Sequence, residues 1–265
     1  VTAAAAAAAA AARAAMAREL RHALDPVAFA RERLGFEPDP WQARVMRSAA
    51  RQVLLNCARQ SGKSTVTAAI AAHTAVFRPG SLTLLVSKAQ RQSAELLAKV
   101  QGFLKAMDPA PRLDGDSALS CRLANGSRVV SLPGDGDTVR GFSAPALVVE
   151  DEAAFVDDAL HMAIRPMLAV SRGRLILMST PHGKRGHFHA AWADGGDAWL
   201  RERVTAHDVP RITPEFLARE RAAIGEWWFR QEYLCEFVDT SDQLFRSASI
   251  AAAVTADVLP LEVTL

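Results

Sequence analysis

The sequence predicts an α/β domain with a mostly parallel central sheet flanked by helices, and three observations carry that expectation. The apolar runs Val53-Leu54-Leu55, Leu82-Thr83-Leu84-Leu85-Val86, Leu147-Val148-Val149 and Leu175-Ile176-Leu177-Met178 hardly alternate with polar residues, as strands covered on both faces require. Helical stretches separate them, the pattern of a parallel sheet with crossover helices. The composition also supports one core: 52 of the 265 residues are alanine, yet about 80 larger apolar residues remain. Wholesale disorder, collagen and disulfide-scaffold classes are thereby excluded.

Each element has its own signal. Residues 1–24, alanine with scattered arginines, read as a helix by propensity but lack a broad apolar stripe, so an exposed, frayed leader is expected. Globular patterning begins at Asp25. Pro38 and Pro40 precede a helical stretch at 41–51 and the first strand at 53–56. A loop at 57–62 and a helix at 63–77 follow. Pro79-Gly80 turns the chain into a strand at 82–86, and a helix at 89–107 ends before Pro109 and Pro111. Asn125-Gly126, between 117–123 and 128–132, signals a hairpin. A Gly/Asp/Pro loop at 133–137 precedes the strand at 147–149, and further strands fall at 175–178 and 202–205. There is no internal repeat.

No stretch reaches the roughly 18 strongly apolar residues of a membrane span, and no basic residue precedes the alanine run as a signal peptide requires. No membrane partner is expected. Three cysteines, Cys57, Cys121 and Cys235, are odd in number and far apart, which fits a reducing, cytoplasmic compartment better than disulfides. The net charge is +2, but residues 1–100 carry 14 Lys/Arg against 6 Asp/Glu. That asymmetry permits a polyanionic partner without requiring one.

The segment Cys57-Ala58-Arg59-Gln60-Ser61-Gly62-Lys63-Ser64 lies between a strand and a helix, where a phosphate-binding loop must lie. Backbone N–H groups of Ala58 through Ser64 would wrap the phosphates at a helix N-terminus. Gly62 permits close approach, Lys63 would reach the β- and γ-phosphates, and the Ser64 hydroxyl would ligate Mg²⁺. Cys57 stands where the usual loop has glycine. The acidic counterpart is Glu150-Asp151-Glu152 at the end of an apolar strand: Asp151 would hold Mg²⁺ and Glu152 would activate water. Glu150 reads as structural. Ser179-Thr180, at the tip of the next strand, would sit beside the γ-phosphate. Histidines 182, 187 and 189 lack a fourth-ligand pattern and are not expected to hold a metal. Trp41 and the group Trp227, Trp228 and Phe229 read as packing rather than base-stacking residues.

These residues, taken in order, resemble the ATPase domain of the large terminase subunit of tailed bacteriophages and prophages. Pro40-Trp41-Gln42 resembles an adenine-reading segment, and residues 59–64 a deviant phosphate loop in which no leading glycine is expected. Val139-Arg140-Gly141, the acidic strand through Phe155, Ser179-Thr180-Pro181-His182-Gly183 and residues 229–237 complete the set. The resemblance implies a RecA-like P-loop NTPase fold over 25–240, using ATP and Mg²⁺ to drive double-stranded DNA into a procapsid. It also implies the portal protein, a small terminase subunit and a homo-oligomeric ring as partners, in a bacterial host cell. Under it Arg59 is a γ-phosphate sensor or a salt-bridge partner, and Gln42 an adenine contact or an exposed helix residue. Arg140 is a DNA contact, a subunit contact or a loop brace. Residues 241–265 resemble a linker toward the family's nuclease part; with only Asp257 and Glu262 after Phe245, no nuclease activity is expected of this chain. A helicase-like ATPase and a binding-only prophage remnant are the alternatives.

Overall fold

A computed structural model of the chain describes residues 3–134, 136–239 and 247–254. Helices α1 (Ala3–Leu24), α2 (Pro26–Arg33) and α3 (Pro40–Arg47) lead into β1 (Gln52–Cys57), α4 (Lys63–Phe77), β2 (Leu82–Ser87) and α5 (Gln90–Ala106). Strands β3 (Leu113–Asp116), β4 (Ser120–Leu123) and β5 (Arg128–Pro133) follow, then α6 (Gly136–Arg140), β6 (Leu147–Asp151), α7 (Asp158–Ser171) and β7 (Arg174–Ser179). The chain continues through α8 (Gly186–Ala193), β8 (Trp199–Val204), α9 (Pro214–Glu232) and α10 (Ser247–Ala253). Among the described residues no helix is long and apolar enough to cross a membrane.

The eight strands among the described residues form one sheet in the order β3-β4-β5-β2-β6-β7-β1-β8. From β5 to β8 every pairing is parallel, and β3 and β4 add an antiparallel edge. The mostly parallel α/β architecture expected from the apolar strands is therefore the one observed. Side chains of β1 alternate between the layers: Val53 and Leu55 join the cluster beneath α4 and α5, while Leu54 joins Leu160, Ile164 and Phe188 on the other face.

Topology places the site. The chain leaves β1 through α4 to reach β2, and β7 and β6 later fill the gap between those two strands. It then returns past β1 to β8. This reversal brings the carboxyl ends of β1, β7 and β6 side by side, the crevice where open α/β sheets bind ligands. Register keeps the ends level, with Asn56 opposite Ser179 and Met178 opposite Asp151.

Several details differ from the sequence expectations. From Ala3 the leader is one continuous helix, exposed from Ala4 as far as Arg21, and its last turn is docked. There His22 is fully buried and bonded to Glu32 at 2.9 Å, and the His22 carbonyl lies 3.0 Å from His73 Nε2. Strand β3 has no counterpart among the expected elements, and α6 begins inside the expected 133–137 loop. The final strand starts three residues earlier than expected, and α9 is broken at Gly225 (φ 78°, ψ 163°). Of the expected linker, Phe245, Asp257 and Glu262 lie outside the described residues.

Asp25 anchors the start of α2. Its side chain accepts from the Val27 N–H at 3.0 Å and pairs with Arg47 at 2.8 Å. The Arg47 hydrogen bond, despite partial burial, holds the carboxyl below its ordinary range. Asp25→Ala is expected to cost about 1 kcal/mol, the worth of an N-cap, as read by urea denaturation at neutral pH. Because the folded-state value is depressed, this stabilisation is present above the ordinary aspartate range and fades as pH falls through the lowered value. The difference between variant and wild type should therefore shrink in acid.

Candidate functional site

The strand–loop–helix unit forms as its sequence requires. Cys57 ends β1, fully buried, and is not among the residues with positive φ, so cysteine replaces glycine there without backbone strain. Burial pushes its thiol pKa far up, away from reactivity. The left-handed positions fall later, at Gln60 (φ 60°) and Gly62 (φ 92°), and Gly62 caps α4. A Cβ on Gly62 would lie 2.6 Å from Gln42 Nε2. Gly62→Ala is thus expected to destabilise the protein by about 1–2 kcal/mol through backbone conformation alone. Displacement of Gln42 should add to that loss, which a denaturation midpoint would record.

A cavity of about 490 Å³ opens over this loop, lined among others by Gln42, Arg59, Gln60, Gly62, Lys63, Ser64 and Glu152. Lys63, nearly buried, points its Nζ to Glu152 Oε1 at 3.1 Å. Glu152 sits just past β6 in a left-handed conformation (φ 52°) that turns its side chain back toward the loop. Its other oxygen, Oε2, accepts from the Ser179 hydroxyl at 3.2 Å. Three residues predicted from separate motifs thus form one chain of contacts across β1, β6 and β7. Thr180 is buried at the exit of β7.

Asp151 lies deeper and does not line the cavity. Burial, reinforced by the adjacent Glu152 charge, raises its carboxyl to about 6, while Oδ1 accepts the Glu152 backbone N–H at 3.0 Å. A buried carboxylate raised in this way is stabilised by a nearby cation. Its oxygens and the Ser64 hydroxyl are hard donors of the kind that could hold Mg²⁺.

Other predicted residues have partners of their own. Arg59 Nε donates to Glu232 Oε2 of α9 at 2.6 Å, although Arg59 also lines the cavity. Gln42 is buried rather than exposed. Its Oε1 accepts from the Asp39 N–H at 2.7 Å and its Nε2 donates to the Gly62 carbonyl at 3.3 Å. Ala58 is buried, its N–H bonded to the Val204 carbonyl, whereas Gln60 is exposed. Arg140 stands exposed in the last turn of α6 and is not among the residues that line the cavity. Trp41 and Phe229 are core residues, whereas Trp228 is half exposed.

Sequence reasoning missed Phe36, Lys99 and Arg211, all of which line the cavity. Arg211 reaches Asp39 Oδ2 at 3.1 Å from a loop far along the chain, where a lone arginine carries no signal. It also missed the surroundings of Glu150. That residue is fully buried, and His161 and His187 grip its two oxygens at 2.9 Å each. Burial alone would raise Glu150; the two imidazoles outweigh it and hold the carboxyl at about 2.

Comparison with known proteins bears on this arrangement. A family model described as "Terminase large subunit, T4likevirus-type, N-terminal" matches residues 54–252. The large terminase subunit of Thermus virus P23-45 is 25% identical over 250 residues, which cover 81% of this chain and 51% of that protein. That of Escherichia phage T5 is 28% identical over 156 residues, covering 56% of this chain and 35% of that protein. The chain spans about half the length of the first of these relatives and about a third of the second. Among solved structures, the ATPase domain of the Thermus phage P74-26 large terminase aligns with a TM-score of 0.67 at 24% identity, covering 77% of this chain and 96% of that one. The large terminase of bacteriophage HK97 aligns with a TM-score of 0.58 at 19% identity, covering 83% of this chain and 50% of that one. At these identities the structural likeness speaks for the fold.

Proposed function

The chain belongs to the large terminase subunit family, and from that premise we propose that it is the ATP-hydrolysing motor module of a DNA-packaging terminase. The observation that carries the proposal is the linked set Lys63–Glu152–Ser179 at the carboxyl ends of three neighbouring strands. A cation, a carboxylate and a hydroxyl converge there over a loop whose N–H groups open α4.

In this reading the loop from Arg59 to Ser64 cradles the triphosphate, the Ala58 N–H being held instead by the Val204 carbonyl, and Lys63 exchanges its Glu152 contact for β- and γ-phosphate oxygens. Released from Lys63, Glu152 takes the proton of the attacking water. Ser64 and Asp151 would hold Mg²⁺, which when bound neutralises phosphate charge. Gln42, beside Phe36 and Arg211, forms the base end of the cavity. Arg59, paired with Glu232, swings to the γ-phosphate as charge develops there, as an always-charged guanidinium can. Ser179 and Thr180 transmit the change, because Ser179 loses its partner when Glu152 moves.

The wider assignment rests on family membership. It comprises double-stranded DNA as the cargo, the portal protein and a small terminase subunit as partners, a homo-oligomeric ring during packaging, and the cytoplasm of a bacterial host. Exposed Arg140 is assigned to DNA or a neighbouring subunit. The experiment is steady-state phosphate release from ATP by the purified chain, with Mg²⁺ and with excess chelator. Mg²⁺-dependent release supports the proposal; no release above buffer, with or without DNA, contradicts it.

A further inference from the structure

Glu150 lies one residue before the acids of the proposed ATP site, yet it faces away from the cavity into a second cluster. His161 of α7 approaches Glu150 Oε1 through Nδ1 at 2.9 Å, and His187 of α8 approaches Oε2 through Nε2 at 2.9 Å. The two rings stack with centroids 4.2 Å apart and planes 11° from parallel. One ligand atom from each of the three residues lies within 4.8 Å of the others. Asp158 Oδ1 fixes the second ring, lying 3.0 Å from His187 Nδ1 and accepting the His187 backbone N–H at 2.7 Å.

With Glu150 ionised, this arrangement calls for a cation. Ionised carboxylates only accept hydrogen bonds. With Asp158 on Nδ1 and Glu150 on Nε2, His187 faces an acceptor on each nitrogen. Either the ring carries two protons, or the Nε2 lone pair and Glu150 share a positive ion between them. A fully buried carboxylate without such a charge would be costly.

We infer that Glu150, His161 and His187 form a binding site for a divalent transition-metal ion of the zinc class. Two imidazole nitrogens with one carboxylate oxygen are the ligands of known three-residue zinc sites, with a fourth position left for water. Nitrogen donors disfavour Mg²⁺ and Ca²⁺. Tetrahedral coordination at zinc bond lengths spaces ligand atoms about 3.3 Å apart, so only a modest closure of the cluster is needed. Asp158 supplies the carboxylate that orients a ligating histidine and sets its tautomer. The ion would fasten α7 and α8 to β6 beside Asp151 and Glu152, holding the strand end that carries both acids.

The test is Co²⁺ titration of the metal-stripped full chain, followed by a Zn²⁺ chase and X-ray absorption on the zinc form. One equivalent of Co²⁺ should develop visible absorption bands, Zn²⁺ should erase them, and millimolar Mg²⁺ should not. The zinc spectrum should fit two imidazoles. His187→Gln should abolish stoichiometric binding, and Asp158→Ala, at an exposed position, should weaken it about 10–100-fold. Ser64→Ala, in the proposed Mg²⁺ site, should leave it unchanged. Absence of stoichiometric binding by the wild-type chain would overturn the inference and leave a protonated histidine clamp. So would a zinc spectrum with fewer than two imidazoles, a result that needs no variant to fold.

Discussion

Lys63→Ala is expected to lower ATP turnover by about 100–1000-fold, the cost of removing one preorganised charge from a phosphoryl-transfer site. The effect should be large because this lysine is nearly buried and its charge meets Glu152 at 3.1 Å. Alanine removes the cation that would meet the phosphates and leaves Glu152 without its ion pair. Both nucleotide affinity and turnover should fall. The fold should survive, since alanine favours the first turn of α4 and the β1–α4 crossover rests on apolar packing. Phosphate release and binding of a fluorescent ATP analogue, measured on one preparation, check both effects.

Glu152→Gln separates chemistry from binding. Glutamine keeps the shape of glutamate and can still accept from Ser179 Oγ, now 3.2 Å from Oε2. It cannot take a proton from water, and its contact with Lys63 loses the attraction of opposite charges. Turnover is expected to fall by about 100–10,000-fold, while ATP affinity stays the same or rises because Lys63 is freed for the phosphates. The left-handed conformation at this position suits glutamine no worse than glutamate, so stability should change little. Weakened binding in this variant would mean that Glu152 positions the loop instead of acting on water.

The two variants draw on the part of the site that was legible in the sequence. An apolar run followed by Gly62-Lys63-Ser64, and another by Asp151-Glu152, marks strand ends by local pattern, and the sheet aligns such ends. Placement of Ser179 on Glu152 follows from β7 entering between β1 and β6, which strand order decides and local sequence does not. The histidines around Glu150 and the position of Arg211 are less legible for one cause, contact between residues distant in the chain. His161 and His187 approach Glu150 from 11 and 37 positions away. Arg211 meets Asp39 across 172. Strand β3, Leu113–Asp116, is mostly exposed and lacks both apolar alternation and a buried run, so nothing in its own residues announces it. Gln42 shows both cases: its contact with the Asp39 N–H is the capping box that the spacing of Asp39 and Gln42 encodes, whereas its contact with the Gly62 carbonyl joins residues 20 apart and has no local signal.

The most direct measurement of the central claim is single-turnover phosphate release at saturating Mg²⁺-ATP, run in parallel on the wild-type chain and Glu152→Gln with bound nucleotide quantified in each. The wild type should release phosphate and the variant should hold intact ATP at equal occupancy. Equal release rates in the two proteins would contradict the assignment of Glu152 as the group that activates water.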